Sequence, residues 1–110
     1  METMEIEWEK LGFAYRPTDY RYVSNYQDGA WDAGTLSDNP NVTLSEAACV
    51  LQYAQCCFEG LKAYSTADGR VVSFRADLNA QRMEDSCRRM EMPVFPQERF
   101  LDAVRKTVHA

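Results

Sequence analysis

The chain has 110 residues, of which 45% are hydrophobic and 12% aromatic, and its formal net charge is -5. This composition can fill one hydrophobic core and is too apolar for a disordered segment. The Lys and Arg residues are dispersed, whereas a nucleic-acid-binding protein concentrates them on one face, so we expect no nucleic acid partner. No apolar run approaches the roughly 18 residues of a membrane span, and the acidic residues 1–7 are unlike a targeting peptide. We therefore expect a cytoplasmic protein with no membrane partner.

The cysteines indicate structural thiols. Cys49, Cys56, Cys57 and Cys87 show neither a C-x-x-C motif nor a metal-ligand spacing, and the single histidine, His109, lies beside the last residue. Cys49 and Cys56 are seven residues apart, which places them on one face of a helix, where buried thiols behave as small apolar groups. We predict four reduced cysteines and no metal site.

The first part of the chain predicts an arm and a hairpin. Residues 1–18 form the arm, and residues 20–26 have high strand propensity. An Asp28-Gly29 pair supplies turn chemistry before a return strand that starts at Ala30. Residues 32–41 are rich in Gly, Asp, Asn and Pro, which predicts a loop.

A central helix is predicted over residues 43–58. Thr43 and Glu46 have the spacing of a capping box at its start. Gly60 follows the helix, and we expect it to leave through a left-handed conformation into a strand. The apolar face recurs at steps of three and four residues: Ala47, Leu51, Ala54 and Phe58.

The rest of the chain predicts a second hairpin and two more helices. Strands at 61–66 and 70–75 flank an Asp68-Gly69 turn. A helix capped at or beside Asp77 follows and ends before Pro93, since the residue before proline avoids helical angles. A last helix begins at Pro96, and its apolar face consists of Phe100, Leu101, Val104 and Val108. The fold class is therefore α+β, with an antiparallel sheet and about three helices in one domain, residues 1–110.

Several motifs recur in the order and at about the spacing of a known family. They are Leu11-Gly12-Phe13, Thr18-Asp19, Tyr26 with Gly29 and Trp31, the stretch from Tyr53 to Tyr64, Phe74-Arg75, Leu78-Asn79 and Arg82-Met83. The series resembles the N-terminal small domain of branched-chain amino acid aminotransferases, fold-type-IV enzymes that use pyridoxal 5'-phosphate. The resemblance implies amino transfer from Leu, Ile or Val to 2-oxoglutarate, and a homodimer.

The resemblance also implies roles for four residues. Arg82 matches the arginine that binds the cofactor phosphate, and a guanidinium fork suits phosphate oxygens. Phe13, Tyr53 and Phe58 match residues that line the pocket for the substrate side chain. On composition alone, Arg82 would lie on a solvated or salt-bridged helix face and the aromatic residues would be ordinary core.

The chemistry requires a lysine that holds the cofactor as a Schiff base. Lys10, Lys62 and Lys106 are the candidates present. The resemblance implies that none of them serves and that this lysine lies in a second, larger domain. We therefore expect the chain to be an incomplete small domain, inactive alone.

Two departures from the family bear on substrate preference. Gln52 stands where many relatives carry histidine, and Tyr20-Arg21 stands where they often have His-Met. The alternatives are the small domain of a related lyase or D-amino acid aminotransferase, or a stand-alone, non-catalytic α+β module that binds a ligand or another subunit.

Overall fold

A computed structural model describes residues 6–110 as a small α+β structure, which confirms the predicted fold class. The helices are α1 (Cys49–Tyr53), α2 (Ala76–Arg89) and α3 (Gln97–His109), preceded by a 3-10 turn at Trp8–Lys10. The strands are β1 (Arg21–Val23), β2 (Tyr26–Gln27), β3 (Ala30–Trp31), β4 (Thr35–Ser37), β5 (Ala63–Ser65) and β6 (Val71–Ser73). Residues 1–5, part of the predicted arm, lie outside the described residues.

Within the described residues the strands pair antiparallel, as predicted, but as three two-stranded sheets. β2 pairs with β3 and β5 with β6, around the two Asp-Gly turns. Asp28 has φ 52° and Gly29 has φ 81°, while Gly69 has φ 82°. These positive angles are what a tight hairpin turn requires, so both predicted hairpins are confirmed.

The prediction of a loop over residues 32–41 was wrong. β4 lies inside this range and pairs with β1, with Tyr22 opposite Leu36. Gly34, with φ 74°, turns the chain so that it returns beside β1. Local composition indicated turn residues, but the partner strand decides whether such a segment is extended.

The central helix was predicted too long. α1 spans only Cys49–Tyr53, and the expected capping box is absent. Instead the Ser45 hydroxyl accepts a hydrogen bond from the Ala47 N–H at 3.1 Å, a local turn that competes with helix formation. Ala54, the residue after the helix, has φ 52°. Gln55 then donates to the Met90 carbonyl at 2.8 Å, and this tertiary bond holds the chain outside the helix.

Two further predictions fail with the longer helix. Gly60 is not among the residues with positive φ, so the chain does not leave a helix there. Cys49 and Cys56 do not share a buried helix face, because Cys56 lies beyond α1 and both thiols are exposed.

The ends of α2 and α3 agree with the sequence, except for the predicted cap. Arg75 precedes α2 with φ 50°, and no side chain caps the helix. Asp77 lies in the first turn, where its carboxylate accepts two hydrogen bonds from Arg75, both at 3.0 Å. α2 ends at Arg89, before Pro93, and α3 begins directly after Pro96.

The first hairpin is fastened to the linker between α2 and α3. The Trp31 indole N–H donates to the Val94 carbonyl at 2.8 Å, and its ring meets Phe95 edge-on with centroids 5.0 Å apart. The Arg99 guanidinium lies 4.9 Å from the centroid of the Phe95 ring and donates to the Asp32 carbonyl. These contacts join parts of the chain more than sixty residues apart in sequence.

The core of the described residues is small. Ala80 and Cys87 are the hydrophobic residues buried there, both on α2, which packs against α3. Residues 7–20 are exposed throughout, and the radius of gyration is 15.7 Å. A compact chain of this length would have a radius of gyration of about 13 Å, and the exposed arm contributes to the difference. Among residues 6–110, no helix has the length and apolar character needed to span a bilayer.

Candidate functional site

Arg82 and Glu59 form a two-point ion pair between α2 and the loop that follows α1. Arg82 Nε donates to Glu59 Oε1 at 2.5 Å, and Arg82 Nη2 donates to Glu59 Oε2 at 2.7 Å. The Glu59 side chain is only 6% exposed, whereas that of Arg82 is 66% exposed. The carboxylate is therefore the sheltered member of the pair, and the guanidinium reaches from it toward solvent.

Asn79 completes the contacts of the same carboxylate. It lies on α2 three residues before Arg82, a spacing that puts both side chains on one helix face. Asn79 Nδ2 donates to Glu59 Oε2 at 3.0 Å and to the Gly60 carbonyl at 3.1 Å. One helix face thus holds both the side chain of Glu59 and the adjoining backbone.

The ion pair determines the electrostatics of the site. Hydrogen bonds from Arg82, with a smaller contribution from the Asn79 amide, lower the pKa of the Glu59 carboxyl. The same carboxylate raises the pKa of Arg82. Both groups are therefore charged at neutral pH, and their charges largely offset each other.

The donor set of Arg82 fits a phosphate group. Glu59 occupies the Nε edge of the guanidinium, and the other N–H donors lie on a side chain that is two-thirds exposed. Arginine presents these donors in one plane, which suits the oxygens of a phosphate.

The predicted substrate-pocket residues are all exposed. Phe13 is 111% exposed, Tyr53 82% and Phe58 88%. Tyr53 is the last residue of α1, Phe13 belongs to the arm, and Phe58 lies between α1 and β5. Phe58 is adjacent to Glu59 in the chain, so one of these aromatic residues flanks the ion pair.

A depression beside the ion pair was not predicted from the sequence. It has a volume of about 340 Å³ and lies between the apolar face of α3 and the β1 and β5 strands. Glu59 and Lys62 contribute to its wall, and the remaining lining residues are Tyr22, Leu61, Ala63, Phe100, Ala103, Val104, Thr107 and Val108. The apolar periodicity of α3 was the available signal, but it indicated a covered face.

Comparison with known proteins gives a consistent result, although no protein-family model matches the chain. The chain is 42% identical to "Branched-chain-amino-acid aminotransferase" of Haemophilus influenzae over 106 residues, and 42% identical to the protein of the same name from Helicobacter pylori over 105 residues. It is 44% identical over 110 residues to "Branched-chain-amino-acid aminotransferase 5, chloroplastic" of Arabidopsis thaliana. These matches cover 96%, 96% and 99% of the chain.

Its curated homologues, at 42–44% identity over nearly the whole chain, are branched-chain-amino-acid aminotransferases. The chain spans 31% of the length of each of the two bacterial relatives and 26% of that of the plant relative. The family recognised in the sequence is thereby confirmed.

Neither the contact of Arg82 with Glu59 nor that of Asn79 with the same carboxylate was predicted from the sequence. Arg82 was singled out, but neither Glu59 nor Asn79 was assigned to it. Asn79 could have been found from its spacing of three residues before Arg82 on a predicted helix. Glu59 lies 23 residues before Arg82, and no local signal predicts that contact.

Two of the three candidate lysines form ion pairs with nearby acids. Lys10 pairs with Glu7 at 2.8 Å, and Lys106 pairs with Asp102 at 2.7 Å on the exposed side of α3. Lys62 lies in the wall of the 340 Å³ depression.

Proposed function

We propose that the whole protein is a pyridoxal 5'-phosphate-dependent branched-chain aminotransferase. It transfers an amino group from leucine, isoleucine or valine to 2-oxoglutarate. Residues 1–110 form its small domain, and a larger domain supplies the Schiff-base lysine. The protein acts as a homodimer in the cytoplasm.

The observation that carries the proposal is the 42–44% identity to named aminotransferases over nearly the whole chain. The presence of Arg82 as a partly exposed guanidinium, fixed on one edge and accessible on the other, supports it independently. The alternatives within the fold type, a lyase or a D-amino acid aminotransferase, are not the activities that these relatives are named for.

The four candidate site residues have two roles in this function, cofactor binding and substrate binding. Arg82 binds the cofactor phosphate through the donors that Glu59 leaves accessible. Phe13, Tyr53 and Phe58 surround the substrate side chain and exclude water from it, at a gain of about 0.8 kcal/mol for each buried CH2 group. When bound, the cofactor supplies the electron sink for breaking bonds at the amino acid α-carbon.

The test is an amino-transfer assay of the full-length protein with leucine, isoleucine or valine and 2-oxoglutarate. Formation of glutamate and the branched 2-oxo acid is expected. Because an apolar pocket separates substrates that differ by one methylene only by about 10- to 200-fold, all three amino acids should react. Failure of all three would overturn the proposal.

The aromatic pocket has a matched control in the same chain. Phe58→Ala should lower kcat/KM for leucine by about tenfold or more, because a contact with the substrate side chain is lost. Phe74 is 86% exposed, similar to Phe58 at 88%, but is not assigned to the pocket, and Phe74→Ala should leave kcat/KM unchanged. Equal effects of the two variants would argue against a pocket role for Phe58.

A second candidate is a non-catalytic module that binds another subunit. It is favoured by the exposure of large apolar residues such as Leu51, Phe58 and Phe74, which are 61%, 88% and 86% exposed. The same assay separates the two candidates, since this module would transfer no amino group.

A further inference from the structure

We propose that Glu59 and Asn79 are positioning residues that orient Arg82 for the phosphate of the cofactor. This inference rests on the proposed function, which assigns the phosphate to Arg82. It adds Glu59 and Asn79, which act on cofactor binding only through the side chain of Arg82.

The geometry of the ion pair supports a positioning role. A flexible arginine loses rotamer freedom when it binds a ligand, and that loss weakens binding unless the side chain is already held in place. Glu59 accepts hydrogen bonds from two nitrogens on one edge of the Arg82 guanidinium, at 2.5 and 2.7 Å, and these bonds fix the plane of the group. The remaining N–H donors belong to a side chain that is 66% exposed.

The carboxylate that holds Arg82 is itself fixed. Its side chain is 6% exposed, so it cannot swing into solvent without opening the contact with α2. Asn79 binds both the Glu59 carboxylate and the Gly60 carbonyl. Arg82 and Asn79 are both on α2, so both side chains connect this helix to the loop that carries Glu59 and hold the guanidinium relative to it.

Glu59 also has an opposing effect, because its negative charge reduces the attraction of Arg82 for an anion. Removing that charge would strengthen phosphate binding if charge dominated, and would weaken it if orientation dominated. We infer that orientation dominates, because the two hydrogen bonds to Glu59 hold the planar guanidinium of Arg82 in place before the cofactor binds. The sign of the effect therefore decides the proposal.

The experiment measures how strongly the full-length protein prefers the phosphorylated cofactor. Apparent Kd values are determined for pyridoxal 5'-phosphate and for pyridoxal, which lacks the phosphate. The ratio of the Kd for pyridoxal to the Kd for pyridoxal 5'-phosphate isolates the phosphate contribution, because a general loss of structure would weaken the binding of both ligands. Glu59→Gln keeps the shape of the side chain. Its amide oxygen can accept from one Arg82 nitrogen, but its NH2 group is a donor and cannot accept from the other.

The expected result is a fall in this ratio of about tenfold for Glu59→Gln, the order of loss seen when a partner that orients a liganding side chain is removed. Asn79→Ala should lower it less, since the Arg82–Glu59 contact remains. Glu59→Asp, which keeps the charge on a shorter side chain, should retain more of the ratio than Glu59→Gln. An unchanged or increased ratio in Glu59→Gln would overturn the proposal.

The matched control is Glu84→Gln. Glu84 is also bound by an arginine and an amide, Arg88 at 2.8 Å and Gln97, but it contacts neither Arg82 nor Glu59 in these hydrogen bonds. This variant should leave the ratio unchanged, and a loss equal to that of Glu59→Gln would show that any broken ion pair on α2 suffices, against the proposal.

Arg82→Met separates this inference from the proposed function. If Arg82→Met abolishes the phosphate preference while Glu59→Gln and Asn79→Ala keep it, Arg82 binds phosphate and the positioning role is wrong. If Arg82→Met keeps the preference for the phosphorylated cofactor, Arg82 does not bind the phosphate, and the positioning role is wrong with it. Should Glu59→Gln not fold, Asn79→Ala decides: a lowered ratio supports the positioning role and an unchanged ratio overturns it.

Discussion

The phenol of Tyr22 lies directly against Gly34, so closely that a β-carbon on residue 34 would come 2.0 Å from the phenol oxygen. The Tyr22 hydroxyl donates to the Ala33 carbonyl at 3.0 Å, which holds the ring there. Gly34 also has φ 74°, an angle that costs other residues about 1–2 kcal/mol. Gly34→Ala should therefore lower the free energy of unfolding by about 2 kcal/mol or more, measured by urea denaturation.

Gly69→Ala is the control for the steric part of this effect. Gly69 has φ 82°, but nothing lies within 4 Å of a β-carbon placed there. Gly69→Ala should lower the free energy of unfolding only by the backbone contribution, about 1–2 kcal/mol. Equal losses for the two substitutions would mean that the Tyr22 contact does not matter.

Trp31 should contribute to stability through its indole N–H. Trp31→Phe keeps an aromatic ring against Phe95 but removes the hydrogen bond to the Val94 carbonyl. We expect the free energy of unfolding to fall by about 1 kcal/mol, because the carbonyl loses its partner in a half-buried place. Urea denaturation monitored by circular dichroism measures this without depending on tryptophan fluorescence.

Trp8→Phe is the matched substitution at an exposed site, since Trp8 is 71% exposed. It should change the free energy of unfolding by less than about 0.5 kcal/mol. If Trp8→Phe destabilises the protein as much as Trp31→Phe, the assigned hydrogen bond is not the cause.

The parts of the fold that the sequence predicts well are those determined by neighbouring residues. The Asp28-Gly29 and Asp68-Gly69 pairs predict their hairpins because tight turns need positive φ at these places. Pro93 and Pro96 likewise set the end of α2 and the start of α3, because proline restricts its own backbone and that of the preceding residue.

The parts that fail depend on partners far along the chain. β4 forms because β1 lies beside it, and α1 ends early where Gln55 binds the Met90 carbonyl 35 residues away. The candidate site was likewise predicted only in part. Arg82 is found by its resemblance to a phosphate ligand, but its contact with Glu59 depends on the tertiary arrangement of α2.

The four thiols should differ in reactivity according to their surroundings. Cys49 and Cys56 are exposed, Cys87 is buried, and burial raises the pKa of the Cys57 thiol. Cys57 Sγ lies 3.4 Å from the Met83 sulfur and 3.9 Å from Cys87 Sγ. Because the thiolate is the reactive form, iodoacetamide at pH 7 should label Cys49 and Cys56 before the other two.

Peptide mass spectrometry at successive times measures the labelling order. In concentrated urea the four rates should become similar, which controls for intrinsic reactivity. Labelling of Cys87 ahead of Cys49 in the native protein would contradict the described packing of α2.

Glu59 should make stability depend on pH in acid. Its folded-state pKa lies below the ordinary value of 4.5, chiefly because Arg82 donates hydrogen bonds to the carboxylate. A carboxyl with a lowered pKa contributes stability that is complete above the unfolded pKa and is lost as pH falls through the folded pKa. Between pH 7 and pH 5 this contribution should be constant, and below about pH 4.5 the wild-type protein should lose more stability than Glu59→Gln.

Carbon-13 NMR of the glutamate carboxyl carbons can locate the cause of that pH dependence. In Arg82→Met the Glu59 signal should titrate closer to pH 4.5 than in the wild type, because the largest of its pKa-lowering interactions is removed. Asn79→Ala should move it in the same direction by less, since the amide has the smaller effect. The Glu84 signal is the internal control, because its pKa is lowered by Gln97 and Arg88 instead and should be unchanged in both variants. A Glu59 titration that stays the same in Arg82→Met would show that the two side chains are not paired in solution.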